Sequence, residues 1–78
     1  MIYLEIPFVS ENNRVNRTSA ENELQILKLS DAAKADVFDA IYHYYPKGVS
    51  FENNEMEQVL SLENALSRLR IPFRQVVE

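Results

Sequence analysis

Apolar and polar positions alternate at the start of the chain. In residues 2–9, Ile2, Leu4, Ile6 and Phe8 fall on one side, with Tyr3, Glu5 and Pro7 on the other. That pattern predicts a half-buried strand. Pro7 has no N–H for a neighbouring strand, so the strand is expected at a sheet edge or to end there. Residues 10–22 lose the alternation and read as a polar connector. Within it, Asn12 and Asn13 suit positive-φ turn positions.

Residues 23–29 divide the reading. Leu24, Ile26, Leu27 and Leu29 form a short apolar run that suits a strand. Leu, Gln, Lys and Glu are also helix formers, and Thr18-x-x-Glu21 has capping-box spacing. The break at Ser30-Asp31, an N-cap followed by a first helical residue, favours the strand.

A helix is predicted over 31–45. At about 100° per residue, Ala33, Val37, Ala40, Ile41 and Tyr44 share a face flanked by Phe38 and Tyr45. Ala32, Asp36, Asp39, His43 and Lys47 form the polar stripe. Pro46 stops the helix, and Gly48 suits the reversal after it. A second helix is predicted to begin within 50–55, at Ser50 or at Asn54-x-x-Glu57, and to run to about Leu69. Its stripe is Val59, Leu62, Leu66 and Leu69, joined by Phe51 if it starts early. Residues 70–77 alternate again, with Ile71, Phe73 and Val77 inward and Arg70 and Arg74 outward. Pro72 marks an edge.

The expected fold is a small two-layer α+β domain spanning 1–78. A two- to three-stranded, mostly antiparallel sheet carries two helices on one face, in the order β-β-α-α-β. The second strand of that order rests on the divided segment.

Size sharpens this picture. A chain of 78 residues buries roughly 60–65% of its unfolded surface, so one core gives marginal stability. There is no Cys, which excludes disulfides and thiolate metal sites. A single His excludes a site built from several imidazoles. No cofactor is expected, because one glycine cannot build a phosphate-cradling loop. The N-terminal pattern is not that of a signal peptide, and no stretch approaches the roughly 20 apolar residues of a membrane span. With no Cys, the expected location is cytoplasmic.

Three functional readings follow. The first is a small non-catalytic protein-interaction module, such as a regulator or inhibitor of a larger protein, of phage, plasmid or bacterial accessory type. It is expected to self-associate as a homodimer. Its candidate contacts are Tyr42, Met56 and Leu60. Tyr42 sits in the aromatic run Tyr42-His43-Tyr44-Tyr45, and Met56 and Leu60 fall off the main stripe of the second helix. The second reading is a nucleic-acid-associated regulator using Arg14, Arg17, Arg68, Arg70 and Arg74. The third is an enzyme built on His43, with Asp39 one helical turn away as its orienting carboxylate. A cation near a helix C-terminus also has a plain structural explanation, which is favoured for His43.

Charge weighs against the second reading. Eight Lys and Arg against twelve Asp and Glu give a net charge of −4, which repels phosphate backbones. Weak binding to duplex DNA and generic RNA at physiological salt is therefore expected in a gel-shift titration. Submicromolar binding that is abolished by Arg70→Ala or Arg74→Ala would overturn that expectation.

Overall fold

A computed structural model of the chain describes residues 1–7, 16–43 and 45–77. The elements run β1 (Ile2–Ile6), α1 (Arg17–Gln25), α2 (Asp31–Tyr42), β2 (Lys47–Phe51), α3 (Met56–Arg68) and β3 (Arg74–Val77). A 3-10 turn, Asn53–Glu55, leads into α3. The α+β class and the single antiparallel sheet are as expected; the element order β-α-α-β-α-β is not. The expected strand ending at Phe8 and Val9, the Asn12-Asn13 turn, Arg14 and Tyr44 lie outside the described residues.

The sheet order is β2–β1–β3, antiparallel throughout. Ile2, Leu4 and Ile6 are buried under the helices, while Tyr3 and Glu5 stand half-buried on the open face. On β2, Val49 pairs with Leu4 and Phe51 with Ile2; on β3, Gln75 pairs with Leu4 and Val77 with Ile2. β1 is thus the central strand. Pro7 does not place it at an edge; the described strand ends at Ile6, just before Pro7.

The segment divided between strand and helix is not a strand: residues 23–25 close α1, and residues 26–29 follow it outside any helix or strand. α1 begins in the supposed connector, where Asn16 Oδ1 accepts a 3.0 Å bond from the Ser19 N–H. Ala20, Leu24 and Leu27 are buried. Ala20 and Leu24 stand one turn apart on α1, the first outside the 23–29 window, and Leu27 follows just past the helix end. Ile26 is 75% exposed, so the apolar run is not a strand in the core.

The strand missed by periodicity is β2. Only Val49 and Phe51 are apolar in it, and Pro46 and Gly48 look like punctuation. Gly48 has a packing role rather than a turn role. A Cβ built there would lie 1.8 Å from Tyr3 Oη, so the absence of a side chain lets the Tyr3 ring rest on the β2 backbone.

α2 follows the sequence closely. Ser30 Oγ accepts from the Ala33 N–H at 3.1 Å, and Ala33, Val37, Ala40 and Ile41 are buried. The helix stops at Tyr42, short of 45, and Tyr45 is exposed. The residue before a proline is disfavoured in the α region, which is consistent with Tyr45 lying outside the helix. α3 buries Val59, Leu62, Ala65 and Leu66. Its entry uses neither expected cap. Glu52 forms a capping box with Glu55, whose Oε1 accepts from the Glu52 N–H at 2.7 Å. Phe51 belongs to β2 and not to this helix.

α3 ends in a Schellman motif. The Ile71 N–H reaches Leu66 O at 2.9 Å, the Arg70 N–H reaches Ser67 O at 3.0 Å, and Ile71 is buried. The left-handed residue is Arg70, with φ 59°, where glycine is usual. Beyond it, Ile71 and Phe73 turn inward as expected, but Val77 is 66% exposed. Its register opposite Ile2 puts it on the helix side of the sheet, where it lies uncovered.

Urea denaturation checks these assignments. Ile41→Ala and Leu66→Ala should each cost about 2–5 kcal/mol, and Asp36→Ala under about 0.5 kcal/mol. Arg70→Gly should raise stability by about 1 kcal/mol by relieving the left-handed backbone. Equal losses for the first three would refute the helix faces, and a destabilised Arg70→Gly would refute the strained cap.

Candidate protein-interaction surface

Tyr42, Met56 and Leu60 are not brought together. Tyr42 is half-buried and joins α2 to α1. Its ring stacks on Phe38, with centroids 5.4 Å apart and planes 16° from parallel. Its hydroxyl donates to Arg17 O at 3.3 Å, and the Arg17 guanidinium lies 5.0 Å from the ring centroid. These contacts make Tyr42 a clasp between helices. Burial, and then the nearby Glu21 carboxylate, push its phenol pKa up, with the Arg17 charge opposing. His43 and Asp39 take separate partners: the His43 ring stacks near Tyr45, 6.3 Å between centroids, and Asp39 lies 3.8 Å from Lys47 Nζ.

Met56 and Leu60 are exposed, at 38% and 51%. They lie one turn apart on α3, on a flank continued by Glu63 and Ser67. The opposite flank is occupied. Arg68 there holds Glu23 of α1 at 2.7 Å, and Gln58 and Ser61 line a recess of about 340 Å³ with residues 26–29. α2 lies against β2, and α3 continues into β3 through residues 69–73. Met56 and Leu60 therefore lie on a different flank of α3 from the residues that meet α1. On the sheet, edge strand β3 presents Gln75 and Val77, both exposed. The described surface thus carries two exposed apolar features, the Met56–Leu60 flank of α3 and Val77 on β3. Periodicity flagged Met56 and Leu60. It missed Val77, because alternation assigns a face but not whether anything covers it.

The arginines share an end without forming a cationic surface. The start of α1, the end of α3 and the start of β3 carry Arg17, Arg68, Arg70 and Arg74 to the end of the sheet where β1 finishes. Arg17 pairs with Glu21 at 3.3 Å, Arg68 with Glu23, and Arg74 with Glu5. Hydrogen bonding to Glu23 raises the pKa of Arg68 further above its ordinary value. Among the described residues, no ion pair involves Arg70. Such exposed pairs add little stability, but they occupy guanidinium groups that a phosphate would otherwise use. Among the described residues no helix is long and apolar enough to cross a membrane.

The Tyr42 environment has a measurable consequence. A phenol whose folded-state pKa is raised contributes stability below its unfolded pKa and loses it as pH rises through the folded value. In an alkaline titration followed by phenolate absorbance, Tyr42→Phe should remove a late component that ionises above the ordinary tyrosine range. Stability should also fall less steeply with alkaline pH in that variant. An unchanged late component would show that Tyr42 is not the perturbed tyrosine. Compared with known protein families, characterised proteins and solved structures, the chain matches none.

Proposed function

We propose that the chain is a small non-catalytic protein-interaction module that acts by occupying a surface, as a regulator or inhibitor of a larger protein does. One observation carries this reading: Met56 and Leu60, both exposed, stand one turn apart on a single flank of α3. Scattered apolar side chains on a surface need no explanation. These two differ in forming one flank, in a domain whose strand β3 is also an edge among the described residues and exposes Val77. Contiguous apolar surface of this kind is a mark of a contact site. Methionine and leucine on a helix flank also adapt to a partner's shape at low cost. Tyr42 leaves the contact set, since its ring and hydroxyl are engaged within the chain.

The nucleic-acid alternative has one observation in its favour, the shared end of the four arginines. Their carboxylate partners and the net charge of −4 weigh against it.

Capture from extracts of the native host tests the proposal. The unmodified chain should retain a defined protein, and Met56→Glu combined with Leu60→Glu should release it while the circular dichroism spectrum stays unchanged. Both positions are exposed, so the fold should tolerate the change. A partner retained undiminished by the double variant would place the contact elsewhere. A nucleic acid retained in place of a protein would favour the alternative.

A further inference from the structure

We infer that the β3 edge is closed by a second copy of this chain, the two β3 strands pairing antiparallel about a two-fold axis at Gln75. This rests on the reading of the chain as an interaction module.

The edge itself is the first argument. Among the described residues β3 pairs with β1 on one side only, so its other side offers backbone donors and acceptors to another strand. β2 is also an edge, but α2 covers it and its Val49 and Phe51 are buried. β3 is the edge where free backbone and uncovered side chains coincide.

The second argument is self-complementarity. In a two-fold antiparallel pair, opposite residues point to the same face, so the axis passes through a residue. Placed at Gln75, it sets Phe73 opposite Val77 of the second copy, apolar against apolar on the helix side. It also sets the two Gln75 amides face to face, each with donors and an acceptor for the other. Placed at Val76, it would set Gln75 against Val77, an amide against an aliphatic group. The first register suits the side chains and the second does not.

The third argument is coverage. Gln75 and Val77 lie on the helix side of β3 by register yet are exposed, so a second copy has room beside and above the strand. A stable interface needs about 800 Å² from each partner, under a sixth of the 5160 Å² surface.

The test uses the full chain. Light scattering over a concentration series should show the mass rising from one chain towards two through the micromolar range. Val77→Glu should hold it at one chain with an unchanged circular dichroism spectrum. The sequence has no cysteine, so Gln75→Cys carries the only thiol. On the axis, two such thiols fall within disulfide range, and oxidation should cross-link them on the order of tenfold faster than in Val76→Cys or Ser50→Cys. A constant single-chain mass to high micromolar concentration overturns the inference. So does a dimer that survives Val77→Glu, or faster cross-linking at position 76 or 50. A chain that stays single yet captures a host protein, and loses it in Met56→Glu with Leu60→Glu, overturns the self-pairing and leaves the contact-surface reading standing.

Discussion

Everything in this molecule hangs on the five residues of β1. It is the only strand among the described residues with a neighbour on each side, five paired positions with β2 and four with β3. Neither outer strand touches the other, and a two-stranded ribbon alone is marginal in water. The row Ile2, Leu4 and Ile6, each at most 2% exposed, is also the floor on which the helical layer rests. Ladder and core therefore share one segment, and a change there would act on both together. In a small chain without disulfides, that shared dependence makes unfolding all-or-none.

The near absence of glycine is the second constraint. Its single glycine lies inside β2, where it makes room for the Tyr3 ring, so reversals rely on other devices. Side-chain caps start the helices at Asn16, Ser30 and Glu52. At the end of α3 an arginine takes the left-handed position, and two backbone bonds and the buried Ile71 hold it there. Local strain is tolerated because a hydrophobic contact follows it directly. The cap and the core are then one unit.

What could be read from the sequence follows from how local each signal is. α2 and α3 were legible because four buried positions recur at helical spacing in each. α1 was not, because Ala20 carries little apolar signal and the rest of its stripe overlaps a run that also suits a strand. β2 was not, because what makes it a strand is β1, more than forty residues earlier, and no local pattern records that. The same logic divides the candidate site. Met56 and Leu60 were visible as departures from a stripe. Tyr42 looked available only because its partner, Arg17, is 25 residues away. Val77 was assigned its face correctly in principle, yet the width of the helical layer decides its exposure.

Magnitudes decide how strong any contact through Met56, Leu60 and Val77 can be. Fully burying a Met, Leu or Val side chain contributes about 1.5–3 kcal/mol, and these three are already partly covered. Two-fold symmetry doubles the gain, to roughly 6–9 kcal/mol for both copies together. Against this stands an association cost of about 4–15 kcal/mol for lost motion and side-chain ordering. The side chains alone come close to cancelling that cost. The net affinity must then come from the β3 ladder, a few net hydrogen bonds of about 1 kcal/mol each. That sum belongs to the micromolar class rather than the nanomolar one. On the proposed pairing, the chain would exchange between single and paired forms as its concentration changes, with the β3 edge open in one form and closed in the other. A larger partner that offered a strand edge and an apolar groove would compete for the same groups. Self-pairing would then set the threshold that such a partner has to exceed.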